Sequence, residues 1–334
     1  MVKLSPKMLG PRAYKNHITS SVLNQVGNTP FVAIDMDGLK NIRLTVKLEY
    51  QNPTSSVKDR AVAYLLKKCL DEKIINHATT IIESSSGNMG VSLAAYCQEH
   101  GLKFICVVDP NILPINEMLI RSFGAQVIKV HQAGEGGFLL SRIQKVKELA
   151  AEIENSYWVN QYANPIIVEG YYRSLGEEIC REISQLDYIF IGVGSGGTIT
   201  GVSTKVREKF PDSKVIAVDI IGSVIFGGAP QKRYIPGIGS SMVPRNLQHA
   251  KINEVVMIDE VTTIDMCHEL LRNYNIFAGG SSGSVYGAIK KYFQGKRIGE
   301  KVTIVTLFPD RGERYATTVY NEDWVQNFKK NHSS

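Results

Sequence analysis

The 334-residue chain has no internal repeat and no low-complexity segment, which leaves solenoid and linker architectures without support. No apolar run approaches the ~20 residues that cross a bilayer as a helix. Cysteine is scarce. Cys69, Cys97, Cys106, Cys180 and Cys267 are odd in number and widely spaced, with no CxxC pair and no clustered histidines. That pattern argues against a disulfide framework and against a metal site, and it fits reduced thiols in a cytoplasmic protein. The N-terminal MVKLSPKMLGPRAYKNH carries basic residues but lacks an apolar h-region with a small-residue cleavage site, so no secretory leader is expected. Neither sign of charge dominates: 38 Lys and Arg stand against 32 Asp and Glu. The resulting +6 is spread along the chain without long basic blocks, which suits small anionic substrates better than nucleic acid or a membrane surface.

What is present is a rhythm of short β-branched runs followed by amphipathic helical stretches. TTIIE (79–83), KFICVV (103–108), QVIKV (126–130) and YWVN (157–160) form a first series of strands, with helices between them. YIFIGV (188–193), KVIAVDI (214–220) and KVTIVTLF (301–308) belong to a second. The alternation predicts an α/β protein with mostly parallel sheets wrapped by helices, and two series predict two doubly wound open-sheet domains. The length also exceeds what a single core usually serves. The active site is then expected between the domains, beyond the carboxyl ends of the strands. The C-terminal NFKKNHSS is expected to fray.

Three stretches concentrate chemistry. NPTSSVKDRA (52–61) places Lys58 after turn-forming residues and at the start of a helix; it is either a solvated helix-end charge or a reactive amine. ESSSGNMGVSLAA (83–95) joins a strand to a helix and offers backbone donors and hydroxyls at a positive helix end, although Ser, Asn and Gly also favour ordinary capped turns. In IGVGSGGTITGV (191–202), Gly192, Gly194 and Gly197 satisfy GxGxxG, and Asp219 lies about 20 residues on, as a dinucleotide fingerprint asks. The same loop could instead wrap one phosphate with Gly194, Ser195, Gly196, Gly197 and Thr198. An NAD-dependent oxidoreductase has no need of the lysine turn and a second anion-binding helix start. Pyridoxal phosphate needs a lysine, a phosphate cup and a separate carboxylate clamp.

VGNTP (26–30), KLEYQNPTSSVKDR (47–60), SSSGNMG (84–90), PGIGSSMVP (236–244), GGSSGS (279–284) and PDRGERY (309–315) occur in the order found in fold-type II pyridoxal-phosphate enzymes. Across nearly the whole chain, the sequence resembles the cysteine synthase and cystathionine β-synthase family of these enzymes. The resemblance implies a tryptophan-synthase-β-like fold. A smaller mobile domain over 47–164 would carry the carboxylate loop, and a larger one, 1–46 plus 165–334, the phosphate loop. It implies Lys58 as the catalytic lysine that binds the cofactor as an imine and later moves the α-proton. Asn88 is implied at the ring 3-oxygen, Gly194 to Thr198 at the phosphate and Ser281 at the pyridine nitrogen. A neutral hydroxyl there favours β-elimination over transamination. Ser85, Ser86, Gly87 and Met89 with Gln161 would clamp the substrate carboxylate. Met89 stands where the family commonly has threonine, which removes a hydroxyl donor from that loop.

Within the family, CVVDPNILP, GGFLLSRIQKVKELA, YWVNQYAN, GSVIFG and FPDRGERY are similar to the branch that makes 2,3-diaminopropionate precursors for siderophores. That likeness implies O-phospho-L-serine as the ester, the amine of L-glutamate as nucleophile and a bound aminoacrylate between two half-reactions. Arg142, Tyr172 and Arg173 are the expected contacts for the anionic groups, since arginine suits oxyanions. The GSGGT loop is of the plain cysteine-synthase type, which keeps a sulfhydrylase acting on O-acetylserine or O-phosphoserine as the alternative. A homodimer is implied by the resemblance.

Overall fold

In the computed structural model, which describes residues 19–36, 39, 41–135 and 137–332, two sheets form where β-branched runs alternate with helices. The larger has six strands: β1 (Phe31–Ile34), β2 (Ile42–Leu48), β7 (Tyr188–Gly192), β8 (Lys214–Ile220), β9 (Glu254–Ile258) and β10 (Val302–Phe308). Their order is β1-β2-β10-β7-β8-β9. Only the β1–β2 pair within it is antiparallel. The smaller sheet has the order β5-β4-β3-β6, from β3 (Thr80–Ser84), β4 (Lys103–Val108), β5 (Gln126–Lys129) and β6 (Ser156–Trp158), all parallel.

Helices α1 (Lys58–Asp71), α2 (Asn88–Glu99), α3 (Pro114–Ser122) and α4 (Gly137–Glu152) accompany the smaller sheet, and α5 (Pro165–Tyr171), α6 (Glu177–Glu182) and α7 (Gly197–Lys209) lead into the larger one. Helices α8 (Glu260–Tyr274), α9 (Gly280–Phe293) and α10 (Glu322–His332) follow. Ile82, Ile105 and Val107 of the smaller sheet pack on Val146 and Leu149 of α4. Its other face joins a core that runs through Leu65 and Leu66 of α1, Leu93 of α2 and Val202 of α7 to Ile189 and Val215 of the larger sheet. The opposite face of the larger sheet buries Phe190, Val218 and Ile304 against Val285 and Ile289 of α9. The two sheets therefore share one continuous apolar layer, with α1 inside it.

The sequence-predicted strands and helices form, and three strands escape the reading. β1 and β2 precede the first series, and β9 follows a long irregular stretch. A domain limit at residue 47 falls inside β2, because Lys47 pairs with Leu307 in the larger sheet. The first 18 residues of the expected larger domain, with the N-terminal basic stretch, lie outside the described residues. The C-terminal tail does not fray through His332: Phe328 of α10 is buried with Ile235 and Tyr315. Ser333 and Ser334 lie outside the described residues. All five cysteines are free and buried. No helix among the described residues is long and apolar enough to cross a membrane.

Candidate active site

The site forms where the carboxyl ends of β3, β7 and β10 face one another. The Thr54–Ser55–Ser56 turn delivers Lys58 as the first residue of α1. Its Nζ reaches Ser195 Oγ at 3.5 Å, joining the lysine turn to the loop after β7. Burial of that amine lowers its pKa to about 8, opposed by the charge of Asp310. The position at a helix N-terminus further disfavours the ammonium. In the loop itself, Gly196 takes φ +79°, and a Cβ there would crowd the Leu247 amide and the Pro244 ring. Gly197 begins α7, and a Cβ on it would lie 2.9 Å from Ile167. The glycines thus answer both a left-handed turn and close packing.

The loop after β3 is organised from behind. Ser85 Oγ accepts from the amides of Gly87 and Gly90 at 3.3 and 3.1 Å. Ser86 Oγ accepts from Arg142 Nη1 at 2.8 Å, while Arg142 Nε lies 3.1 Å from Asp109. Space in front of Gly87 is open. Gln161 is held against the start of this loop: its Nε2 donates to the Ser84 carbonyl at 3.0 Å and its backbone amide to Glu83 at 3.0 Å. Burial raises the Glu83 pKa to about 7, against the pull of the Ser84 and Gln161 amides.

Asp310, after β10, ties the parts together. Its Oδ2 accepts from Asn88 Nδ2 at 2.8 Å and from Tyr315 OH at 2.7 Å, and its backbone bridges to Ser56. Ser281 lies in the first turn of α9, 2% exposed, and PGIGSS passes beside it: a Cβ on Gly237 would be 3.6 Å from Ser281 Oγ.

Several buried polar atoms around this cleft have no hydrogen-bond partner among the described residues: Asn88 Oδ1, Tyr171 OH, Ser282 Oγ and Asp310 Oδ1. Such groups are costly unless a ligand or water pairs with them. A lysine of lowered pKa, a glycine loop opening a helix and these orphaned atoms fit a phosphate-bearing aldehyde cofactor.

The predicted residues divide. Lys58, Ser195, Asn88, Ser281, Ser85, Ser86, Gly87, Gln161 and Arg142 are brought around one cleft, with Gly194, Gly196, Gly197 and Thr198 in its second loop. Three others are placed elsewhere. Met89 is 1% exposed and packs into the apolar core, so its side chain is not part of the clamp. Tyr172 donates to Glu208 at 2.7 Å near the far end of α7, and Arg173 pairs with Glu169 at 2.7 Å with 59% of its side chain exposed. The reason is helical phase, since successive residues turn by roughly 100°. Tyr171 faces the loop, its ring 3.4 Å from where a Gly197 Cβ would be, and its two successors point outward. Asp219, the acid required by the dinucleotide reading, is fully buried and accepts from the Ile220 amide. It is not available to a ribose.

Sequence reasoning missed Asp310 and Tyr315, although PDRGERY was recognised as a motif. It also missed Tyr162, beside Gln161, whose phenol pKa is raised by burial, with Arg142 pulling it down and Glu83 pushing it up. Asn246 gave no local signal; its Nδ2 donates to the carbonyls of both Gln161 and Ser195.

The family model described as pyridoxal-phosphate dependent enzyme matches residues 22–310. Among solved structures, an O-acetylserine-dependent cystathionine β-synthase from Helicobacter pylori is 32% identical with a TM-score of 0.85, covering 90% of this chain and 98% of that one. O-ureido-L-serine synthase is 27% identical with a TM-score of 0.84, over 92% and 96% of the two chains. A hydrogen sulfide-producing enzyme from Fusobacterium nucleatum is 28% identical with a TM-score of 0.84, over 89% and 100%.

Proposed function

Since the chain belongs to the pyridoxal-phosphate-dependent enzyme family, we propose that it replaces the β-substituent of an activated L-serine ester, with O-phospho-L-serine and L-glutamate as its substrates. The products are N-(2-amino-2-carboxyethyl)-L-glutamate and phosphate. Two of the similar structures are named for O-acetylserine and O-ureido-L-serine, which supports chemistry at the β-carbon of a serine derivative. The observation that carries the anionic substrate is Arg142, whose guanidinium is drawn onto Ser86 of the clamp loop.

Pyridoxal phosphate supplies an aldehyde for the substrate amine and a conjugated electron sink. Lys58 would hold it covalently, Gly194 to Thr198 its phosphate, Asn88 its 3-oxygen and Ser281 its ring nitrogen. Lys58 Nζ would take the proton from the substrate Cα and later return it. A base working near neutrality needs a lowered lysine pKa, and desolvation at the start of α1 provides it. The loop from Ser85 to Gly87, open to space at Gly87, and the second N–H of Gln161 Nε2, whose first is given to Ser84, would hold the α-carboxylate, and Arg142 would favour the doubly charged leaving group.

The test is release of inorganic phosphate from O-phospho-L-serine with L-glutamate as acceptor, with product mass read by mass spectrometry. Lys58→Ala is expected to abolish turnover and the violet absorption of the lysine-bound cofactor. Arg142→Ala is expected to raise KM for phosphoserine tenfold or more, a loss of about 1.5–3 kcal/mol for a charged hydrogen bond. Turnover only with O-acetyl-L-serine and sulfide would make the protein a cysteine synthase, the reading favoured by the O-acetylserine-dependent relative. A cytoplasmic homodimer belongs to the same proposal, and light scattering of the purified holoenzyme tests the assembly.

A further inference from the structure

Asp310 is a carboxyl group buried to 1% exposure at the junction of the lysine turn, the clamp helix and α9. Its Oδ2 takes hydrogen bonds from Asn88 and Tyr315. Its Oδ1 has no hydrogen-bond partner among the described residues and points at the N-terminus of α9: a Cβ on Gly279, the residue before that helix, would lie 2.1 Å from it. Gly279 is thus required for space, and the carboxylate it admits sits at the positive end of a helix. Burial raises its pKa, and the hydrogen bonds from Asn88 and Tyr315 and the charges of Arg314 and Lys58 pull against that rise, as does the helix end.

The charged and titratable groups facing it are few. Arg314 directs its guanidinium at Asn116 and the Thr54 carbonyl. Tyr315, Tyr320 and Cys267 are held neutral by burial, which raises the pKa of each. The Asp310 backbone bridges to Ser56 and the Val57 amide donates to the Pro309 carbonyl at 2.8 Å, which sets the carboxylate against the turn that carries Lys58; Arg314 and Lys58 are the two cations whose charge acts on it. An ionised carboxylate can only accept hydrogen bonds, so it also settles which end of the Asn88 amide faces it.

We propose that Asp310 is a positioning residue for the cofactor: it fixes the Asn88 amide with its nitrogen toward the carboxylate, and it sets a negative charge beside Lys58 that keeps the nitrogen of the lysine-bound cofactor protonated. The inference rests on the assignment of Lys58 and Asn88 to pyridoxal phosphate. Asn88 then offers the cofactor one N–H and the orphaned Oδ1 in a single orientation.

The experiment is an absorbance titration of the holoenzyme with pH, for the native protein, Asp310→Asn and Asp310→Ser, with bound cofactor counted after alkaline release. In both variants the violet band is expected to give way to the near-ultraviolet form at a pH lower by about one to three units, the usual effect of removing an opposite charge nearby. Cofactor content should stay near that of the native protein, because the phosphate loop and Ser281 are untouched. A role confined to packing would lower thermal stability and leave the midpoint in place. Either folded variant with an unmoved midpoint, or with the cofactor lost, overturns the inference. Asp310→Ser, which adds no volume, carries the test where Asp310→Asn does not fold. A native protein without a violet band would instead defeat the assignment of Lys58 itself.

Discussion

Lys58 is desolvated, and it also occupies the end of α1 where free N–H groups make the potential positive. Both effects disfavour its ammonium, and its pKa falls from 10.5 to about 8. Below about pH 8 the lysine is charged in the folded and unfolded chains alike, so the cost of burying the charge is fully present. Between about 8 and 10.5 the unfolded lysine keeps a proton that the folded one has lost, and stability rises with pH. Lys58→Met is therefore expected to stabilise the cofactor-free protein at neutral pH by roughly 1–3 kcal/mol while abolishing turnover, with the gain shrinking toward alkaline pH. Urea unfolding of both proteins at neutral and alkaline pH measures it, and a variant less stable than the native chain would contradict the account. Lys58, Asn88 and the glycine loop stood out in the sequence because each lies in a short motif with its own turn chemistry, and the structure places the Lys58 Nζ 3.5 Å from Ser195 of that loop. Tyr171 was not, because a choice among Tyr171, Tyr172 and Arg173 depends on helical phase after an irregular loop.

At the scale of elements, the turn Arg245–His249 carries the link between the two halves of the site. Asn246 donates from Nδ2 to the Gln161 carbonyl at 2.8 Å and the Ser195 carbonyl at 3.3 Å, and its own carbonyl accepts from Thr200 at 2.8 Å. Asn246→Asp preserves shape but turns an oxygen toward two carbonyl oxygens. We expect weaker cofactor retention together with a raised KM for the ester, each by about 2 kcal/mol or roughly thirtyfold. Cofactor dissociation and steady-state kinetics read the two effects, and a change in only one would show that the turn serves a single loop. The βα units around this turn were visible from their β-branched runs. β1, β2 and β9 were not read, although in β2 the apolar Ile42, Leu44, Val46 and Leu48 alternate with Arg43, Thr45 and Lys47 as a half-buried strand requires; β9 lies at the sheet edge.

Across the whole molecule, a buried ionic network holds the lysine helix to the larger sheet. Arg60, two residues after Lys58, pairs with Glu49 at 2.5 Å and with Glu178 at 2.7 Å, and Lys47 pairs with Glu178 at 2.8 Å. Burial alone would raise the Glu178 pKa; Arg60 and Lys47 outweigh it and hold the group at about 2. Such a depressed carboxyl contributes stability above its unfolded pKa near 4.5 and loses it as pH falls toward about 2. Acid unfolding is expected to begin in that window. Arg60→Ala, which leaves two carboxylates facing Lys47 alone, is expected to cost about 3–5 kcal/mol, the usual loss when one partner of a buried pair is removed. Denaturant midpoints at neutral pH check the value, and a loss below about 1 kcal/mol would mean that water reaches the network.

By itself the amino-acid sequence determined the α/β alternation, the loops that open helices at strand ends and the place of Lys58 in a turn that begins a helix. Each of these is a local property: period, turn chemistry and the order of motifs. Only the tertiary structure decided that Met89 points into the core, that Arg142 reaches Ser86 from another helix, and that Asp310 meets Asn88 across 222 residues of chain. Those contacts depend on which faces of distant elements are buried together, and no single stretch of sequence records them.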